Sequence, residues 1–304
     1  MTEITPADDR LHRASEPHPL WSETAWFGFS VASRALGGTV YPLFRPNLGV
    51  CSVGVHVWDA SAHEPWRVPY SRGQWHLPMP EGDLDHAEVG GLELTCEKSL
   101  SRYRVRYADG DLIALDLVYD GLIAPHGFGI AETRGHIDQP CRVQGSLRLG
   151  TEQFEIDGYD MRDRSWHVRD DLRPTRASYS YAIASRDSMF LAGGFALDEA
   201  SDDCRIVAGF LVRDGEKADL VSGTRRVVGR TNGYPTHLTI EAEDASGRRL
   251  SAEGHCTSRL ANQATPGMFA WMSLAEWRFD DRSVPGADQD VWSPDRLAQR
   301  RVQG

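Results

Sequence analysis

Short runs of alternating apolar and polar residues recur along this chain, and turns containing glycine or aspartate separate them. In the run from Val50 to Trp58, Val53, Val55 and Val57 share one face and the residues between them take the other. A period of two residues is that of a β-strand, whose successive side chains point to opposite faces. No helical pattern extends beyond about three turns. The chain is therefore expected to bury its apolar residues by pairing strands into sheets.

The strand pattern runs through the chain twice, with a break near Pro174. Strands are predicted at 26–32, 39–44, 50–58, 92–96, 102–107, 112–119, 141–149, 153–156, 178–185, 188–197, 205–213, 219–228, 237–244, 249–256 and 268–279. One helix is predicted at the end, with Ser293 as N-cap and Pro294 as its first residue. Many short strands with little helix are typical of β-sandwiches and barrels. We predict an all-β chain with a flexible arm at 1–20 and two consecutive antiparallel domains at 21–174 and 175–304.

Composition excludes several classes of partner. The net charge of -11 disfavours nucleic acid and anionic membranes, which both attract basic surfaces. No apolar run approaches the roughly 20 residues of a membrane span, and residues 1–19 have no signal-peptide pattern, so we expect no stable membrane insertion. The five cysteines are odd in number and widely spread, without a C-x-x-C pair. We expect free thiols in a reducing cytoplasm.

The most unusual stretch is 158–171, where arginine, aspartate, tryptophan and histidine side chains crowd together. One interpretation is a surface cluster of salt bridges, since exposed ion pairs are common and individually weak. The other is that this stretch lines a ligand cavity between the two β-domains. If the stretch is extended, its side chains divide between two faces. One face would carry Met161, Asp163, Ser165 and His167, and the other Arg162, Arg164 and Trp166.

Four side chains in this chain have both a chemical and a structural interpretation. Asp163, facing an apolar cavity, would keep its proton and act as an acid; alternatively it is a carboxylate paired with an arginine elsewhere. Trp166 would offer its π-face to a flat or cationic ligand state, or it is ordinary core. His167 is a candidate proton shuttle, or an exposed or hydrogen-bonded histidine. Glu276 has apolar neighbours that would favour its protonated form, or it points outward.

Common catalytic motifs are absent, including the G-x-S-x-G elbow, the P-loop and the H-x-H and H-E-x-x-H spacings. His126 and His136 flank a glycine-containing connection and are expected at the polar surface. We therefore expect no metal site, although one assembled from distant strands stays open.

Two segments resemble the domain junction of the carotenoid 1,2-hydratase (hydroxyneurosporene synthase) and AttH-like superfamily. They are 143–150, Val-Gln-Gly-Ser-Leu-Arg-Leu-Gly, and 158–166, Gly-Tyr-Asp-Met-Arg-Asp-Arg-Ser-Trp. Members carry an Asp-x-x-Trp element here, often followed by glycine, whereas this chain has His167. Glu276-Trp277 and residues 286–292 also fit the second domain of that group. The resemblance is specific over about thirty residues and architectural over the rest.

The resemblance implies two lipocalin-like β-barrel domains with a hydrophobic site in or between them and no cofactor. Relatives include carotenoid hydratases, kievitone hydratase and β-fold cyclases. It thus implies a hydratase or dehydratase, cyclase or isomerase acting on a hydrophobic, isoprenoid- or steroid-like unsaturated molecule. The alternatives are a non-catalytic carrier of a lipophilic ligand and a structural interaction protein. The sequence leaves the oligomeric state open, a homodimer included.

Under the enzyme hypothesis, the reaction needs a neutral acid in a dry pocket and aromatic surface near the developing cation. Asp163 is then the acid, Trp166 stabilises the cation, and His167 or Glu276 positions water. The predicted substrate-binding residues are Tyr159, Arg162, Arg164, Trp166, Trp271 and Trp277.

Overall fold

The structure, a computed structural model, describes residues 4–12, 18–131, 133–170, 175–197 and 201–303. These residues lie mainly in antiparallel β-strands, and the predicted all-β class with little helix is confirmed. The predicted helix at the end of the chain, α1 (Pro294–Gln303), begins at the expected proline. In the described part of the chain, no helix has the length and apolar character that a membrane crossing requires. All five cysteines are free thiols.

The chain divides into two compact units, and the division does not follow chain order. The first unit comprises residues 1–57 and 69–169, and the second comprises residues 58–68 and 170–304. The predicted boundary at 174/175 falls at residues 171–174, which lie outside the described residues. The strand pattern of the sequence does not predict that residues 58–68 belong to the second unit.

The first unit is one large antiparallel sheet. Its strands are β1 (Trp21–Val31), β2 (Leu36–Arg45), β3 (Val50–Trp58), β4 (Tyr70–Pro78), β5 (His86–Val89), β6 (Leu92–Lys98), β7 (Arg102–Asp109), β8 (Ile113–Gly121), β9 (His126–Ala131), β10 (Arg134–Leu149) and β11 (Glu152–Val168). They pair in the order β4-β3-β2-β1-β11-β10-β8-β7-β6-β5, and β9 pairs with β10 beside this path. The long strands β10 and β11 therefore join the two halves of the sheet.

Alternation along β7 shows how the first unit separates its core from water. Tyr103, Val105 and Tyr107 are buried in the hydrophobic core. The arginines between them point outward, where Arg104 donates to Asp116 on β8 at 2.7 Å. One face of this sheet region is thus apolar and the other carries charge pairs, as a half-buried antiparallel sheet requires.

The second unit is a closed antiparallel barrel. Its strands are β12 (Arg176–Ser185), β13 (Ser188–Ala196), β14 (Cys204–Arg213), β15 (Glu216–Thr231), β16 (Tyr234–Asp244), β17 (Arg249–Thr265), β18 (Met268–Phe279) and β19 (Arg282–Trp292). Each strand pairs with its neighbours in chain order, and β19 closes onto β12. Closure leaves no unpaired edge among these eight described strands.

Inside the barrel, an apolar core lies beside a buried ionic network. In the core, the ring of Phe190 meets those of Trp277 and Phe279 edge-on at 5.4 and 5.1 Å. In the network, Arg225 binds Asp288 at 2.5 Å and Asp290 at 2.9 Å, and all three side chains are fully buried.

Asp290 also accepts from two further arginines. Arg176 lies 2.7 Å away and Arg230 2.8 Å away. Burial alone would raise the pKa of Asp290, but the charges of these arginines and of Arg225 hold it well below its usual range. The sequence pattern predicted the strands that carry these residues but not the network.

Candidate active site

The central stretch 158–168 is a continuous part of β11, so its side chains alternate between two faces as the extended interpretation predicted. Asp163 lies directly between Trp26 on β1 and Asp138 on β10. Ser165, two residues on, lies between Thr24 and His136. These cross-strand partners share the face of Asp163, because residues directly opposite each other point to the same side of a sheet.

The acid–base groups on this face form a compact cluster of three side chains. His136 Nε2 lies 2.8 Å from Asp138 Oδ1. One ligand atom from each of His136, Asp138 and Asp163 lies within 4.8 Å of the others. Asp138 is 3% exposed and Asp163 is 9% exposed. We name these three residues the carboxylate–histidine cluster.

The environment of the cluster moves two pKa values in directions that suit proton transfer. Burial raises the pKa of Asp163 to about 6, and the charge of His136 opposes this rise only in part. Burial favours the neutral form of His136, but the charge and hydrogen bond of Asp138 outweigh it and raise its pKa to about 9. At neutral pH, Asp163 is therefore close to its midpoint beside a cationic imidazole. Such unequal neighbours are typical of acid–base sites.

Two hydroxyl groups and one guanidinium group lie next to the carboxylate–histidine cluster on the same face of the sheet. The Ser165 and Thr24 hydroxyls are 2.7 Å apart, and Arg169 donates to Ser165 Oγ at 2.6 Å. The positive charge of Arg169 also lowers the pKa of Asp163, though less than burial raises it. This face thus offers a titratable acid, a cation and hydroxyls within one short span of strand.

The opposite face of β11 holds the two arginines, and it is covered by the described part of the arm, residues 4–12. Arg162 binds Asp9 at 3.2 Å, and its guanidinium lies 3.8 Å from the centroid of the Tyr103 ring. Arg164 binds Glu23 at 3.1 Å. Both arginines therefore have carboxylate partners other than Asp163. They lie on the opposite side of the sheet from the carboxylate–histidine cluster.

Trp166 is also on this covered face. It is fully buried and stacks on the His12 ring at 3.8 Å between centroids. Gly135 opposite leaves room for the indole, since a Cβ there would lie 2.2 Å from Trp166 Cζ2. The face of Trp166 is thus occupied by protein, and the residue does not share a surface with Asp163.

The other predicted residues of the stretch lie at its margins. Tyr159 is 41% exposed. His167 Nδ1 lies 2.9 Å from the Val168 carbonyl oxygen, to which an Nδ1–H donates. Burial, reinforced by the charge of Arg169, lowers the pKa of His167 to about 4. Its ring is therefore neutral at neutral pH and can accept a proton only in acid solution.

The predicted residues of the second half all lie on β18, in the other unit. Glu276 is exposed and accepts a hydrogen bond from Ser283. Its environment is therefore water rather than an apolar pocket. Trp277 is fully buried in the barrel core, and Trp271 is 3% exposed. Trp271 has the rings of Phe269, Tyr234 and His63 around it at 5.1, 5.6 and 5.8 Å.

A family model described as a domain of unknown function, DUF7064, matches residues 5–286. The chain belongs to this family. A search of curated proteins gives no significant match to the DUF7064 chain.

Solved structures give its fold relatives. Kievitone hydratase from Nectria haematococca is 12% identical, with 90% of this chain and 88% of that chain covered and a TM-score of 0.60. The AttH-like protein NE1406 from Nitrosomonas europaea is 12% identical, with 89% of this chain and 91% of that chain covered and a TM-score of 0.62. CghA with Sch210972 is 12% identical, with 90% and 88% covered and a TM-score of 0.54. At these identities the likeness shows the fold alone, and the predicted double lipocalin-like architecture is confirmed. The finer resemblance to carotenoid hydratases stays a prediction.

Sequence reasoning about the DUF7064 chain missed two of the three clustered residues. His136 was expected at the polar surface, but its side chain is only 31% exposed and is bonded to Asp138. His126 was expected there too and is buried. A signal was present, because His136 and Asp138 are two residues apart and would share a face of any strand. Nothing in the sequence, however, indicated that this strand pairs with β11 in register with Asp163.

Proposed function

We propose that this protein is an acid–base enzyme that adds water to, removes water from, or cyclises a small unsaturated molecule, with Asp163 as the proton donor. The observation that carries the proposal is a buried carboxyl with a pKa of about 6, beside the His136–Asp138 pair. At pH 7 roughly a tenth of such carboxyls hold a proton, which suffices for general acid catalysis. The fold relatives support the reaction class, since one of them is a hydratase by name.

In the hydration direction, the Asp163 hydroxyl transfers its proton to one alkene carbon, and positive charge develops on the other. Water then attacks the cationic carbon, and the proton that it loses returns to the Asp163 carboxylate. The enzyme is thereby regenerated, and the net change is the addition of one water. His136 holds a positive charge beside the carboxylate, and Trp26 provides aromatic surface on the same face.

The hydrophobic, isoprenoid- or steroid-like character of the substrate is part of this proposal and rests on the family resemblance. The predicted roles of Trp166, Arg162 and Arg164 as direct substrate contacts are not part of it, because these side chains lie on the covered face. His167 is retained as a neutral hydrogen-bonding group at the end of the same strand face as Asp163.

The test is deuterium exchange with a panel of unsaturated lipophilic compounds in D₂O, because incorporation at carbon reports protonation whatever the product. Asp163→Asn should fold normally and exchange about 10² to 10⁴ times more slowly than wild type. Asp157→Asn is the matched control: it makes the same change on the same strand, at an exposed residue paired with Arg142. It should exchange at the wild-type rate.

Binding measured by native mass spectrometry separates the enzyme from the carrier. A compound that binds both the wild type and Asp163→Asn but exchanges only with the wild type supports the enzyme. A compound that binds tightly and never exchanges with the wild type supports a carrier and ends the catalytic assignment.

A further inference from the structure

We propose that His237, Glu253 and His255, on the outer face of the barrel, bind a divalent transition-metal ion, with Zn²⁺ or Cu²⁺ as the favoured class. His237 on β16 and His255 on β17 are direct cross-strand partners. Glu253 precedes His255 by two residues and therefore points to the same face. We name these three residues the outer histidine site.

The ligand atoms of the outer histidine site already converge. His237 Nε2 lies 2.7 Å from Glu253 Oε1, and His255 Nε2 lies 3.6 Å from the same oxygen. The two imidazole rings stack at 4.5 Å with 15° between their planes. One ligand atom from each residue lies within 4.8 Å of the others. The three ligand atoms are therefore near enough to one another to bind a single ion.

The donor set matches known metal chemistry. Two imidazoles and one carboxylate, with an open position for water, form a common catalytic zinc set. Imidazole suits zinc and copper, and copper binds a given nitrogen and oxygen site more tightly than zinc.

Exposure makes the site accessible to an ion from solution. The side chains of His237, Glu253 and His255 are 30%, 45% and 62% exposed. On the next strand, Glu276 lies opposite His255 and Arg278 opposite Glu253, so the neighbouring charges offset each other. The three side chains can therefore turn toward an ion without leaving a buried group unpaired. The site is independent of the proposed reaction, since it shares no residue with the carboxylate–histidine cluster.

The experiment is isothermal titration of the full-length protein with ZnCl₂ at neutral pH, after chelator treatment and removal of any purification tag. One Zn²⁺ should bind per chain at this site. His255→Ala should weaken binding by more than the roughly 10–100-fold that loss of a metal ligand's hydrogen-bond partner costs. Glu253→Gln should also weaken it. His255 is well exposed, so its variant should keep the wild-type circular dichroism spectrum and metal-free melting temperature.

His86→Ala is the matched control, because His86 is a similarly exposed strand histidine whose Nε2 lies 3.1 Å from the Glu88 carboxylate, without a second imidazole paired with it across the strands. It should bind Zn²⁺ as the wild type does. Asp163→Asn identifies binding at the carboxylate–histidine cluster. The proposal is overturned if the wild type binds no Zn²⁺, or if binding survives His255→Ala and is lost in Asp163→Asn. A Zn²⁺-dependent rise in melting temperature that is present in wild type and His86→Ala, and absent in His255→Ala, supports it.

Discussion

At the scale of single residues, the two faces of β11 treat charge in opposite ways. Arg162 and Arg164 are buried with carboxylate partners, so both charges are compensated. Asp163 is buried beside the His136–Asp138 pair, and burial raises its pKa to about 6. Relative to the ordinary value of 3.8, this shift corresponds to on the order of 3 kcal/mol against ionisation. A raised cost of ionisation at a buried carboxyl with charged neighbours is the energetic pattern expected of a functional group.

This cost predicts a pH dependence of stability. The folded-state pKa of Asp163 lies above the ordinary value. Its contribution to the free energy of unfolding is therefore fully present below pH 3.8 and is lost as the pH rises through about 6. Asparagine does not ionise and avoids that loss. Asp163→Asn should therefore gain stability relative to wild type between about pH 4 and pH 7, by up to about 3 kcal/mol. Urea unfolding of both proteins across this range measures the difference.

Asp157→Asn serves as the control of opposite sign. The hydrogen bond from Arg142 lowers the pKa of Asp157, so any contribution of its charge is lost as the pH falls rather than as it rises. A stability difference for Asp163→Asn that does not change with pH would show that the carboxyl is ordinary and would remove the basis of the acid assignment.

At the scale of elements, residues 4–12 cover one face of the sheet of the first unit. Asp9, at the end of the short 3-10 helix Pro6–Asp9, is buried and accepts from Arg162, the Tyr103 hydroxyl and the Leu100 amide. Burial would raise its pKa, but Arg162 and these hydrogen bonds lower it. The polar composition of 1–20 predicted a flexible arm. Composition alone does not reveal that Asp9 pairs with Arg162, about 150 residues away in the chain.

Asp9→Asn should destabilise the protein by roughly 3 to 5 kcal/mol, because it leaves the buried Arg162 charge without its carboxylate. Folding lowers the pKa of Asp9. The stability difference between Asp9→Asn and wild type should therefore be largest near neutral pH and should disappear as the pH falls through the folded-state pKa of Asp9. Asp85→Asn breaks a pair with Arg10 that is more than half exposed and should cost no more than about 1 kcal/mol. Equal unfolding midpoints for the two variants would contradict the stabilising role of the buried Asp9–Arg162 pair.

Strand β15 allows an equally direct test in the barrel. Arg225→Met leaves Asp288 and Asp290 short of a cation in a fully buried place, so we expect a loss of about 3 to 5 kcal/mol. Its neighbour Arg226 points to the opposite face and pairs with Asp203, its own side chain being 65% exposed. Arg226→Met should cost at most about 1 kcal/mol. Chemical denaturation of the two variants compares adjacent residues of the same type.

The positions of most strands were predictable from the sequence, but the pairing of the strands with one another was not. Alternation predicted β7 and the division of Asp163 and Arg162 between two faces, and aromatic composition predicted β18. It missed β4, β5, β9 and β19, whose burial alternates less regularly or which are short. The carboxylate–histidine cluster, the outer histidine site and the Arg225 network each depend on register between strands. Register is set by non-local pairing, which a single sequence does not display.

At the scale of the whole molecule, the second unit borrows residues 58–68 from within the first part of the chain. The Ala261 amide donates to the His63 carbonyl at 2.8 Å, and the His63 ring lies 5.2 Å from Tyr234. Trp58 and Val68, at the ends of this segment, are both buried. The barrel strands close by themselves, but these contacts come from elsewhere in the chain.

A chain that begins at Asp170 should therefore be less stable than one in which residues 58–68 precede Asp170 through a flexible glycine-serine linker. Trp271, which lies beside His63, should emit at longer wavelength in the shorter chain because it is more exposed to water. Fluorescence and urea midpoints compare the two chains directly. Identical spectra and midpoints would mean that the borrowed segment contributes nothing to the barrel.

The borrowed segment also sets an order for events on the ribosome. His63 emerges roughly 170 to 210 residues before Tyr234, Ala261 and Trp271, which it contacts in the barrel. At about 5–20 residues per second, it waits on the order of 10 to 40 s for these partners. Residues 58–68 remain without those contacts during that interval, while the first unit is still being completed. A slowed translation of β12 to β19 would lengthen this interval and give a chaperone more time to bind residues 58–68.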